Sequence, residues 1–146
     1  MMSKRTINCE MFAEKWEEDN SVLLSSVVFK NNKDGTYSTL ATMISVPIEC
    51  FQKFVEFTER LTYQAQSSNC IKFSENWEIQ VKLGPIPWQK ILGGKNEDAT
   101  SVENLQIWAY NPGAKDKREL IIVPPEEISE FHDFLKEIQT NINNKF

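Results

Sequence analysis

Residues 46–61 read VPIECFQKFVEFTERL, and 77 residues further on residues 123–138 read VPPEEISEFHDFLKEI. Laid on one another, the segments match Val46 with Val123, Pro47 with Pro124, Glu49 with Glu126, Phe54 with Phe131 and Phe57 with Phe134. Apolar residues also correspond at Phe51 with Ile128 and at Leu61 with Ile138. Two apolar helices share phenylalanines by chance more easily than they share a Val-Pro-x-Glu start. Self-similarity at a fixed offset is the mark of a repeated unit. The reading is a single domain over 1–146 made of two pseudo-repeats, about 1–68 and 69–146.

Each segment has a physical reading as the end of a strand followed by a helix. Pro47 and Pro124 lack the N–H that a ladder would use, and Pro125 suits a first helical turn, where that N–H would be unpaired anyway. Glu49, Glu126 and Glu127 then fall where the helix macrodipole favours negative charge. Ile128, Phe131, Leu135, Ile138 and Ile142 recur at spacings of three and four, as do Ile48, Phe51, Phe54, Val55, Thr58 and Leu61, so each helix carries one apolar stripe.

Strands are expected ahead of each helix. Ser21 to Lys30 (SVLLSSVVFK) is rich in β-branched and apolar residues, and NNKDG over 31–35 supplies an Asp-Gly hairpin turn into Tyr37 to Val46. Trp77 to Leu83 alternates, with Trp77, Ile79, Val81 and Leu83 on one face and Glu78, Gln80 and Lys82 on the other. Trp88 to Leu92 reads as a short strand, GGKNEDAT over 93–100 as a mobile loop, and NPGAKDK over 111–117 as a turn between Asn104 to Tyr110 and Glu119 to Val123. Cys9 to Glu18 fits either a short helix or an irregular first strand. The predicted fold class is α+β, a duplicated unit of about four antiparallel strands followed by a helix.

Composition narrows the function classes. The apolar fraction of 40% and charged fraction of 25% are ordinary for a globular chain, which argues against disorder and against a membrane protein. With no apolar run near the ~20 residues of a membrane span, and polar sequence where a signal peptide would be apolar, a soluble intracellular protein is expected. Cys9, Cys50 and Cys70 match neither a disulfide framework nor a zinc site, and are read as reduced structural thiols. No metal or cofactor is expected. The net charge of −5 and pI near 5.0 oppose bulk electrostatic coating of duplex DNA. They leave room for single-strand binding, which draws much of its energy from bases stacking on aromatics.

An apolar strand and proline running into Glu130-Phe131-His132-Asp133 is similar to the end of a Pur repeat, whose helix carries Glu-Phe-Arg-Asp. WEIQVKLGPIP from Trp77, followed by NLQIWAYNPG from Asn104, resembles the paired strands that open a Whirly second half. The layout thus resembles the Whirly and Pur-alpha type of single-stranded nucleic-acid-binding proteins. The glycine and arginine pattern of the Pur strands and the lysine-rich Whirly motif are absent. The resemblance implies a homo-oligomer, dimer or higher, that binds single-stranded DNA, ahead of RNA, on its sheets.

On that reading the face of the second-half sheet away from its helix presents Gln80, Lys82, Gln106, Trp108 and Tyr110. Aromatic faces beside a lysine and two amides suit base stacking, phosphate neutralisation and hydrogen bonding to base edges. The hairpin tips add Lys30, Lys33 and Tyr37 in the first half and Trp88, Lys90 and Lys95 in the second, with Lys115, Lys117 and Arg118 close in sequence. No catalytic residue is assigned. His132 is the only histidine and has no nucleophile in a recognisable motif beside it, and Gly93-Gly94-Lys95 lacks the spaced glycine and Ser/Thr of a phosphate loop. The competing function class is a non-enzymatic protein-interaction module, such as an inhibitor, immunity or assembly factor, because aromatics serve protein interfaces as well.

Overall fold

A computed structural model of the protein describes residues 1–31, 34–63, 70–85, 103–111 and 118–143. Among the described residues the strands are β1 (Met2–Arg5), β2 (Cys9–Trp16), β3 (Ser21–Asn31), β4 (Tyr37–Pro47), β5 (Cys70–Ser74), β6 (Trp77–Pro85), β7 (Glu103–Tyr110) and β8 (Arg118–Val123). Helix α1 (Ile48–Tyr63) follows β4 directly, and helix α2 (Ile128–Asn141) follows β8 through a 3-10 turn at Pro125–Glu127.

The strongest local signals produce the longest pairing. β3 and β4 pair antiparallel from Ser21↔Pro47 to Asn31↔Tyr37. Past the end of this hairpin Gly35 takes φ 87°, a left-handed conformation open to glycine without strain, and Asp34 Oδ1 accepts from the Thr36 N–H and hydroxyl at 3.0 and 2.6 Å. Those hydrogen bonds hold the Asp34 carboxyl below its ordinary range. The alternating CEMFAEKW of β2 settles the ambiguous N-terminal stretch as a strand, joined to β3 by a turn in which Asn20 has φ 49°. β1 and β5 were not expected. The short strand expected at Trp88 to Leu92 lies outside the described residues.

The expected fold class is overturned. In place of two strand-and-helix copies, the strands join in a single eight-stranded antiparallel sheet of order β1-β2-β3-β4-β8-β7-β6-β5. The helices also extend beyond their own strands. Phe54 of α1 stacks edge-to-face on Phe73 of β5 (6.3 Å) and on Trp77 of β6 (5.6 Å), and Phe57 does the same on Phe73 (6.0 Å). From the other side, Glu130 of α2 pairs with Lys4 of β1 at 3.0 Å, and Lys15 of β2 donates to the Ile142 carbonyl at the end of α2 at 2.7 Å. Burial opposes the charge on Lys4, but its hydrogen bond to Glu130 and the nearby Glu130, Glu137 and Asp133 carboxylates outweigh it and raise its pKa. Each helix thus reaches strands from the far half of the chain. Even the shared Val-Pro-x-Glu start makes two different helix entries: Pro47 ends β4 with α1 beginning at the next residue, whereas α2 begins only at Ile128, four residues after Pro124. The matching phenylalanines reflect a common demand for apolar stripes over one sheet.

Both helices lie on one face and bury it. Cys9, Met11, Val22, Leu24, Ile44, Val46, Ile79, Ile107 and Ile121 from the sheet meet Phe51, Phe54, Phe131, Phe134, Leu135 and Ile138 from the helices in one buried cluster. Between the helices His132 Nδ1 lies 2.9 Å from Thr58 Oγ1. The Thr58 hydroxyl donates to the Val55 carbonyl (2.7 Å), so the ring N–H donates to Thr58.

The two halves of the sheet meet along a thin seam. β4 and β8 pair at one register position, Met43↔Leu120, and side chains replace the ladder on either side. The Ile122 N–H donates to Thr42 Oγ1 (3.0 Å), while the Ser45 N–H and hydroxyl donate to the Glu119 carboxylate (3.2 and 3.4 Å).

Two stability predictions follow from this packing. Phe54→Ala removes a fully buried ring from the α1 to β5–β6 contact and is expected to lower unfolding free energy by about 3–5 kcal/mol in urea titration. Thr42→Val leaves the Ile122 N–H without its partner and is expected to cost about 1–3 kcal/mol, while Thr42→Ser, which keeps the hydroxyl, loses less.

Candidate nucleic-acid interface

The face of the sheet away from the helices has no described layer over it. Register determines which side chains share that face. Gln80 lies opposite Trp108, Lys82 opposite Gln106, and Tyr110 sits between Glu78 on β6 and Arg118 on β8. The five residues singled out for this face from alternation, Gln80, Lys82, Gln106, Trp108 and Tyr110, are therefore brought together, and Arg118 joins them. Lys82 and Arg118 are exposed; the other four are half-buried. Lys33, Trp88, Lys90, Lys95, Lys115 and Lys117 lie outside the described residues, and for Lys30 and Tyr37 only the backbone positions in β3 and β4 are described.

Neighbours fix the aromatic rings. The Trp108 indole N–H donates to Gln106 Oε1 at 3.1 Å, two residues away on the same strand face. The Arg118 guanidinium lies 5.9 Å from the centre of the Tyr110 ring, within cation–π range. Across β6, the Tyr110 hydroxyl is 3.1 Å from Cys70 Sγ. That hydrogen bond, aided by burial and by the Glu78 charge, pushes the Tyr110 phenol up to about 12. Cys70 is exposed, unlike Cys9 and Cys50, so the reading of all three thiols as structural is corrected for this one. Burial pushes the Cys9 and Cys50 thiols up, which makes them poor nucleophiles at neutral pH.

Charge on the β5–β8 part of the face leans positive, with Lys72, Lys82 and Arg118 against Glu78. One end is bounded by acid. Asp19, Glu49 and Glu119 line a cleft of about 520 Å³ together with Ser45, Trp77 and Tyr110, at the end of the seam where β4 runs on past β8. Among the described residues no group of three or more His, Cys, Asp and Glu side chains is placed to hold a metal ion, and no helix is long and apolar enough to cross a membrane.

The β1–β4 part of the face carries residues that the sequence reading did not single out. Phe12, Leu23, Val27 and Phe29 are half-buried there, and Met43 is 50% exposed. Arg5 lies 4.8 Å above the Phe29 ring and pairs with Glu10 at 3.3 Å. The signal was present in β2, where Glu10, Phe12, Glu14 and Trp16 alternate with the buried Cys9, Met11 and Ala13. For Phe12 that signal lies in a stretch whose sequence fits either a short helix or an irregular strand, which leaves its face undecided.

Compared with models of known protein families and with curated proteins, the chain matches none.

The raised Tyr110 phenol gives a direct prediction. Replacing Cys70 by alanine removes the first cause of the shift, so the tyrosinate absorbance attributable to Tyr110 should move from about 12 down towards its ordinary value of 10.0. The folded state holds this proton more tightly than the unfolded chain. The associated stabilisation is therefore whole below pH 10.0 and is lost as pH rises towards about 12, a loss that Cys70→Ala should reduce.

Proposed function

We propose that the open face of β5–β8 binds single-stranded nucleic acid, DNA ahead of RNA, by stacking bases on Trp108 and Tyr110. The observation that carries this reading is the shared face: two aromatic rings, the amides of Gln80 and Gln106, and the cations Lys72, Lys82 and Arg118 occupy adjacent strands with the same orientation. Aromatic faces accept any base, amides reach base edges, and the flanking cations neutralise phosphate. A local basic patch answers the objection raised by an acidic chain. The acidic cleft beside Tyr110 repels phosphate from that end and favours the Lys82 side.

A second reading has its own support. Met43, Phe12, Val27 and Phe29 form an apolar stretch of the kind that marks protein contacts, and a homo-oligomer built through this face is the protein-interaction alternative.

Fluorescence anisotropy with labelled single-stranded and duplex oligonucleotides, read at two salt concentrations, tests the first reading. Single strands should bind more tightly than duplex and quench tryptophan emission. Since a stacked base contributes roughly 1–3 kcal/mol, Trp108→Ala should weaken binding about 5- to 150-fold while circular dichroism stays unchanged. Lys82→Ala should flatten the log–log salt slope by about 0.7, the value for one phosphate of a single strand. Absence of binding at low salt and high protein concentration refutes the reading, and a concentration-dependent mass in sedimentation would then favour the protein contact.

A further inference from the structure

The register of the sheet places one side chain from every strand in a single transverse row on the open face. Phe12 of β2 lies opposite Ser25 of β3, which lies opposite Met43 of β4. Met43 pairs with Leu120 across the seam, Leu120 lies opposite Trp108, and Trp108 lies opposite Gln80. Ser3 on β1 and Cys70 on β5 complete the row at its two ends. The one backbone bridge of the seam thus falls in the row that contains Trp108. No member of the row is charged, although the neighbouring rows carry Arg5 with Glu10 and Lys82 on one side, and Glu14, Arg118, Glu78 and Lys72 on the other.

We propose that the binding platform does not stop at β8 but continues through the seam, with Phe12 and Met43 as further base contacts, so that one nucleic-acid strand lies across the full width of the sheet. This rests on the single-strand reading of the β5–β8 face. Three features support the continuation. Large flat or polarisable side chains recur along the row at Phe12, Met43 and Trp108, with the small Ser25 leaving room between the first two. Of the two acids that flank Phe12 in the adjacent rows, Glu10 is already paired with Arg5, so its charge opposes phosphate less, and the exposed Glu14 confines the strand to the row between them. The exposure of Met43, 50% in the middle of a sheet, leaves the seam open to a ligand rather than closed by it.

The geometry sets a length. Seven steps of about 4.8 Å between strands make the row about 34 Å, the length of about ten nucleotides at the 3.4 Å spacing of a stacked strand. Stopping at β8 would give three steps, about 14 Å, or roughly four nucleotides.

Oligothymidylates of four, seven, ten and fourteen nucleotides, titrated into the wild-type protein and into Trp108→Ala, Phe12→Ala and Met43→Glu, separate the cases. Affinity should climb from four to about ten nucleotides and then level. Phe12→Ala should weaken the ten-nucleotide strand about tenfold and leave the four-nucleotide strand unchanged, and Met43→Glu should do the same by repelling phosphate from the seam. Phe12 lies outside the helix-covered core and Met43 is exposed, and the near-ultraviolet circular dichroism of each variant checks that its fold is kept. A plateau at four nucleotides, with Trp108→Ala still weakening binding and Phe12→Ala without effect, overturns the continuous track while the β5–β8 reading stands. If Phe12→Ala instead changes only the sedimentation mass, the first-half face belongs to a second copy of the chain and the track is likewise overturned. No binding of any length by the wild-type protein removes both.

Discussion

The contact between β4 and β8 is the constraint on which the rest of the structure depends. Both are central strands, yet their ladder is reduced to Met43↔Leu120, and the hydrogen bonding beside it is taken over by Thr42 and Glu119. A buried N–H without a partner is expensive, so a fully buried position such as Ile122 needs the Thr42 hydroxyl where no strand carbonyl serves it. The neighbouring Ser26, opposite Thr42 in β3, has a buried hydroxyl with no hydrogen-bond partner among the described residues. Backbone pairing alone therefore holds the two halves weakly.

The helices make up the difference by reaching across. α1 leaves β4 and sends Phe54 and Phe57 to Phe73 and Trp77; α2 leaves β8 and is tied to β1 and β2 by Lys4, Lys15 and, through the preceding turn, by Asn8 donating to Glu126 at 2.8 Å. The aromatic contacts carry most of the energy, since edge-to-face ring pairs add about 0.5–1.5 kcal/mol beyond their buried area, whereas exposed ion pairs contribute about 0–1 kcal/mol. The helix side of the sheet is thereby committed to holding the molecule together, while no described layer covers the other side.

Local structure was legible in the sequence where one physical signal dominated. The Asp34-Gly35 turn between β-branched runs, the alternation in Trp77 to Leu83 and Asn104 to Tyr110, and the apolar stripes of both helices each identify an element and the side that it buries. Alternation also placed Trp108, Tyr110, Lys82, Gln80 and Gln106 on one face. What could not be read is which strand pairs with which at long range. Met43 and Leu120 carry no mark of being partners, and an apolar stripe that must be covered does not say by which half. The self-similarity of the segments that start at Val46 and Val123 encouraged the idea of self-contained copies, and the single sheet with its crossing helices overturns it. Phe12 and Met43 were missed for a related reason, because they join the face only through pairings that the sequence does not announce.

The short outer strands have a consequence for the protein in a crowded solution. A broad antiparallel sheet with a bare face offers two borders from which a ladder might grow from molecule to molecule, the route to fibrous assembly. Here β1 is four residues long and carries Lys4 and Arg5, while β5 is five residues long and its register slips between Lys72 and Ser74. Charge, brevity and an interrupted hydrogen-bond pattern are the devices by which natural sheets discourage such growth. The molecule can thus keep a wide open sheet face without becoming the template for its own polymerisation.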